Sequence, residues 1–299
     1  MKSQKRNMYL LMTLLVFAWG LEYIFAKQAL AVMEALTLIF FKYFIGFTVT
    51  LIIKLKKEEK GLIRKKDIPL FIFCALFGEV GYFYFEYTAM EFLPVALITI
   101  VLAFVPALSI IIDKAFFKRK ITKLMAAGIA MSICGIAMVI GVDWHILLEG
   151  RIIGYLLAFG AVITWNLYNF LTASLHSRYE SVTLSLNQMI CTLLLICPYA
   201  LAHLPGFGAV TPGVVGGVLY LGIFSTGIGF IIFVRALYVL GPTVTAIFSN
   251  FLPVTTTLFG WLILNETILP VQMAGGAIVI AAGYLVIKEK GRLEDLSHD

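Results

Sequence analysis

The chain has 299 residues and a net charge of +6, with 61% of its residues hydrophobic and 13% charged. Soluble domains carry about 25% charged residues, so this composition excludes a water-soluble fold and points to a chain that crosses the membrane many times. The basic residues sit in short loops between apolar runs, which is a membrane-topology pattern and carries no nucleic-acid signal.

Ten spans are expected, at about 8–30, 35–55, 68–89, 93–114, 121–142, 152–174, 182–203, 212–236, 240–263 and 270–288. Each is near the roughly 20 residues that a helix needs to cross about 30 Å of hydrocarbon. Lipid cannot satisfy exposed backbone groups, and the alternation of a membrane barrel is missing, so the expected fold is an all-α polytopic membrane protein. Lys2, Lys5 and Arg6 precede the first span. That span exceeds the h-region of a secretory signal, about 7 to 15 residues, and is expected to remain as an uncleaved helix. It carries Trp19, Glu22, Tyr23 and Lys27, and the second span carries Lys42.

The third span holds Glu79 and Glu86 among Tyr82, Phe83, Tyr84, Phe85 and Tyr87. A charge in hydrocarbon costs roughly 2.5 to 3.5 kcal/mol on insertion scales, so it marks a function or a partner. A spacing of seven predicts both carboxylates on one helix face. Lys42 is placed to pair with Glu22 or with Glu86, and Lys27 to snorkel outward. Glu79 is then the carboxylate without an obvious partner, suited to take up and release protons or to bind a substrate cation. The alternative is that Glu79 pairs with Lys42 and only joins two helices.

Farther along, Trp165 and Tyr168 join Trp19, Tyr23, Tyr82 and Tyr84 as aromatics of which about half are expected to line a cavity. Asn166 and Asn169 in span six, and Ser249 and Asn250 in span nine, need hydrogen-bond partners, from a substrate or from a neighbouring helix. Pro106 and Pro253 lack an N–H, freeing the carbonyls of Leu102 and Ser249 and predicting bends there. Gly128, Ser132, Gly135, Gly275, Ala282 and Gly283 are spaced for close contact of spans five and ten. The cysteines Cys74, Cys134, Cys191 and Cys197 are read as packing residues, and the histidines lie in loops or at span ends, so no metal site is expected.

Loop charges set the topology. Beyond the N-terminus, the loops after spans two and four and the segment after span ten are rich in Lys and Arg, while the alternate loops hold Glu34, Glu91, Asp143, Glu149 and Glu266, with Arg151 the main exception. The positive-inside rule predicts both termini in the cytoplasm, and the plasma membrane is the expected location.

An internal repeat is also present. Pro106 and Pro253, Ala89 and Ala236, Phe104 and Phe251, and Ala127-Gly128 and Ala274-Gly275 all share one offset of 147 positions. Ala18-Trp19-Gly20-Leu21 matches Thr164-Trp165-Asn166-Leu167 more loosely. The expected units are 1–142, 151–288 and a cytoplasmic tail at 289–299. Five spans per unit is an odd number, so the second unit enters from the opposite side, a recurrent transporter plan with its site near the midplane.

With these motifs in hand, the chain resembles the drug/metabolite transporter superfamily, EamA type, from Met8 to Ile287. The resemblance rests on Trp19-Gly20, Thr88-Ala89-Met90, Arg235-Ala236-Leu237, Pro106, Pro253 and Asn265-Glu266. It implies ten transmembrane helices as two inverted five-helix repeats, a central cavity lined from both, and export or uptake of small metabolites, commonly amino acids and related compounds. The first half departs from the pattern, with Lys118-Arg119 where the second has Asn265-Glu266.

The expected function is secondary transport, with export favoured, of a small molecule such as an amino acid, aromatic compound or amine. No P-loop or catalytic motif lies in the spans, so neither an ATPase nor an enzyme is expected, and no cofactor. A membrane receptor or assembly subunit of the same fold is the alternative.

Overall fold

A computed structural model describes residues 2–57, 63–118, 121–140, 151–206, 208, 210–264 and 268–295. Arg119, Asn265 and Glu266, on which the loop contrast between the halves rests, lie outside the described residues, as do Asp143, His145, Glu149 and His298.

Among the described residues, ten helices are long and apolar enough to cross a membrane. They are α1 (Gln4–Leu30), α2 (Ala35–Lys56), α3 (Lys65–Ala89), α4 (Leu97–Phe116), α5 (Lys123–Ile140), α6 (Ile152–Leu175), α7 (Ser181–Ala202), α8 (Pro212–Leu240), α9 (Pro242–Ile263) and α10 (Pro270–Leu293). Most limits fall within a few residues of those read from hydropathy. The last helix continues to Asp295, so the start of the expected tail is helical. Leu55, Phe116, Ile152 and Leu194 are each at least 70% exposed. An apolar exterior of this kind is what a lipid-facing surface requires.

The fifth helices of the two halves show the inversion. A Cβ added at Gly128 would approach the Ala282 carbonyl at 3.3 Å, and one at Gly275 would approach the Gly135 carbonyl at 2.6 Å. Numbering thus rises along α5 as it falls along α10, and the pair is antiparallel. Small residues allow this backbone-to-backbone approach.

Two irregularities recur in both halves. In α3 a π-helical turn spans Ala75–Gly81, and in α8 another spans Leu221–Ile228. Their last residues, Gly81 and Ile228, are 147 positions apart. The wide turn brings the Leu76 carbonyl within 2.7 Å of where a Cβ on residue 81 would stand, a reason for glycine there. In α4 the regular helix stops at Leu102 and resumes at Val105; in α9 it stops at Ser249 and resumes at Leu252. Both breaks come just ahead of the prolines, at the same repeat positions.

The halves interlock. Thr192 on α7 donates to Glu79 Oε2 in the π turn of α3 at 2.5 Å. Reciprocally, α2 packs so closely on the π turn of α8 that a Cβ at Gly46 would fall 2.7 Å from Thr226 Cγ2. The second helix of each half therefore grips the third helix of the other.

Candidate functional site

Where α1, α3, α4, α6 and α9 converge, they enclose a cavity of about 40 Å³. Its wall takes Leu102 and Val105 from the break in α4, and Ser249 and Leu252 from the break in α9. These are two repeat-related pairs, 147 positions apart. Trp19 and Trp165, themselves repeat partners, also face it. The remaining wall is Glu22, Tyr23, Tyr82, Phe83, Glu86 and Tyr87.

The charges are held as follows. Lys42 is fully buried and donates from Nζ to Glu22 Oε1 at 2.8 Å and to the Tyr87 hydroxyl at 3.0 Å. The Tyr87 hydroxyl in turn donates to Glu22 Oε1 at 3.0 Å. Ser225, in the π turn of α8, donates to Glu22 Oε2. Of the three carboxylates open to Lys42 in the sequence, Glu22, Glu86 and Glu79, the structure selects Glu22. Glu86 Oε1 accepts from the hydroxyls of Tyr23 and Tyr82, both at 2.8 Å.

Glu79 and Glu86 do not share a face. The π turn adds backbone between them, so Glu79 points to α7 while Glu86 points to Tyr23 on α1. Glu79 is fully buried and lies off the cavity wall. It has no ion-pair partner among the described residues, which disposes of the Lys42 alternative. Its Oε1 has no hydrogen-bond partner among the described residues.

The amides also lie off the wall. Asn166 Nδ2 donates to the carbonyls of Val105, at the α4 break, and Val162. Asn250 Nδ2 donates to Ser132 Oγ at 2.9 Å, and both side-chain polar atoms of Asn169 are buried without partners among the described residues. Two of these amides thus bridge helices. Tyr168 is buried, while Tyr84 is 40% exposed and belongs to an outer space. Sequence alone does not single out Thr192, Ser225, Tyr87 or Phe83 as site residues; the first two are unexceptional hydroxyls whose roles depend on cross-half contacts.

Above the cavity, on the face away from the N-terminus, a vestibule of about 1110 Å³ opens between the ends of α1, α2 and α3. Lys27, Glu34, Glu91 and Tyr199 line it, and Tyr87 belongs to both spaces. At the opposite face the halves are tied together. Asp67 accepts from Arg178 and, at 2.7 Å, from the Tyr179 hydroxyl. Asp113 on α4 accepts from Thr243 on α9 and Lys290 on α10.

One correspondence concerns charge. Glu22 and Lys42 are each 146 positions before Tyr168 and Gln188. Tyr168 donates to Gln188 Oε1 at 3.2 Å. The two halves thus build the same inter-helix pair, ionic in one and neutral in the other.

Residues 6–141 and 152–288 each match the EamA-like transporter family. The chain belongs to that family. Among similar proteins of this EamA-like chain is an uncharacterized transporter of Archaeoglobus fulgidus, 22% identical over 94% of this chain and 99% of the relative. Another is the uncharacterized transporter YvbV of Bacillus subtilis, 22% identical over 97% of this chain and 94% of the relative. A third, from Streptantibioticus cattleyicolor, carries the name "Probable terminal-alkyne amino-acid exporter" and is 22% identical over 75% of this chain and 74% of the relative. A solved crystal structure superposes with a TM-score of 0.79 at 18% identity, covering 97% of this chain and 99% of the other. That likeness concerns the fold.

Proposed function

We propose that this EamA-like protein is a secondary transporter that exports small metabolites, such as amino acids, aromatic compounds or amines, across the plasma membrane by alternating access. The carrying observation is the central cavity, walled by repeat-related residues of two inverted halves. The units 1–142 and 151–288 rock against each other around it, with both termini and the segment 289–299 in the cytoplasm. The open vestibule on one face and the ties of Asp67 and Asp113 on the other support an outward-facing state. The relative named a probable terminal-alkyne amino-acid exporter supports the substrate range.

Coupling to protons runs through Glu79 in this scheme. A carboxyl buried between the halves, with one oxygen unpartnered and no direct ion pair among the described residues, is a place to hold a proton. Its contact with Thr192 crosses from one half to the other, so the bond is positioned to sense their relative motion. The test is flux in proteoliposomes with an imposed pH gradient, comparing the native chain with Glu79→Gln. Loss of the gradient's effect is expected. Unchanged gradient-driven flux in the variant would remove the coupling role, and absence of flux for every metabolite class would remove the transport reading.

A further inference from the structure

We propose that the central cavity selects its substrate by one positive charge, an ammonium group seated on the free oxygen of Glu86 within a cage of aromatic rings. The inference rests on the transport reading above and names the class of compound carried.

The charge count at the cavity leads to it. Two carboxylates stand on the wall, Glu22 and Glu86, and no Lys, Arg or His does. Glu22 is fully engaged, by Lys42 and Tyr87 on one oxygen and by Ser225 on the other. Lys42 is engaged too: Nζ meets Glu22 and Tyr87 and lies 3.2 Å from the centroid of the Phe83 ring. This pair cancels, leaving Lys42 without a ready donor for an anionic ligand.

Glu86 is different. It is 3% exposed, and its Oε1 accepts both tyrosine hydroxyls, while no hydrogen bond reaches Oε2 among the described residues. Tyr23 and Tyr82 hold the carboxylate in place, which pre-organises its second oxygen for a charge-assisted bond. Around it stand the rings of Trp19, Tyr82 and Trp165, with Tyr82 and Trp165 centroids 4.5 Å apart. Aromatic faces attract an ammonium cation and do nothing comparable for an anion. The amino end of an amine or of an amino acid fits these demands. A compound whose only charge is negative finds two carboxylates and no available cation.

The test uses the full-length purified chain and two probes of similar size, 2-phenylethylamine and 3-phenylpropionate. Binding is read by tryptophan fluorescence, since Trp19 and Trp165 both face the site, and by the shift in melting temperature. The amine is expected to bind and the acid not to. Glu86→Gln is expected to weaken amine binding by about tenfold or more. Equal binding of acid and amine to the native chain overturns the proposal without any variant. So does a folded Glu86→Gln protein with unaltered amine affinity. If neither the aryl amine nor tetramethylammonium binds at millimolar concentration, the proposal fails, whereas flux of some other metabolite in proteoliposomes would leave the transport reading standing.

Discussion

The indole rings of Trp19 and Trp165 meet edge to face, with centroids 6.3 Å apart and planes at 74°, across the line that relates the two halves. Trp165 also packs on Tyr82, Tyr168 and Phe233. Trp165→Ala should therefore destabilise the bundle by about 3–5 kcal/mol, the range for truncating a large buried aromatic. Trp165→Phe keeps much of the packing and should cost less. Melting of the two variants in detergent gives the comparison; equal melting would show that the ring contacts contribute little.

Lys42→Met should be among the most damaging single changes. It strips the counter-ion from Glu22, and breaking a buried pair from one side costs about 3–5 kcal/mol. The double variant Glu22→Gln/Lys42→Met should recover part of that loss. A double-mutant cycle on melting temperatures reads the coupling directly.

Gly275 and Gly276 are neighbours with opposite expectations. A Cβ at 275 would lie 2.6 Å from the Gly135 carbonyl and 2.7 Å from the Val139 nitrogen, backbone atoms that cannot turn aside. Gly275→Ala should force α5 and α10 apart at a cost of about 1–3 kcal/mol. At 276 the nearest atom is 3.6 Å away, on Val254, and alanine should stabilise the helix by up to about 1 kcal/mol. Thermal melting of both variants side by side checks the sign of each.

His176, just beyond the end of α6, gives a pH dependence. Burial pushes its imidazole down to about 4 from the usual 6.5, against a smaller opposing effect of a backbone hydrogen bond at Val234. The unfolded chain takes up a proton near pH 6.5 that the folded chain refuses until about pH 4. The stability contributed by the neutral ring is thus complete above about 6.5 and is lost as pH falls from there towards 4. Melting temperature against pH should fall less steeply for His176→Gln over that window.

Spans and repeat were legible in the sequence because hydrocarbon thickness fixes helix length and duplication leaves a constant offset. The breaks near Leu102 and Ser249 could be read from Pro106 and Pro253. The directions of Glu79 and Glu86 could not. A spacing of seven implies one face only in an unbroken α-helix, and the π turn at Ala75–Gly81 alters the phase between them. Of the candidates, Trp19, Glu22, Tyr23, Tyr82, Glu86, Trp165 and Ser249 converge on the cavity, with Lys42 behind Glu22. Asn166, Asn169 and Asn250 were plausible wall residues from polarity alone. Their orientation depends on how α6 crosses α4 and how α9 crosses α5, which composition does not encode.

The Glu22–Lys42 and Tyr168–Gln188 pairs occupy matching places, yet only the first is ionic. Two inverted copies of identical chemistry would give mirror conformations of equal free energy, and such a carrier would idle evenly between the two sides of the bilayer. Here the dehydration of an ion pair weighs on one copy alone. In the alternating-access cycle proposed above, exchanging the roles of the halves therefore changes the energy, which would set a resting preference for one orientation before any gradient acts.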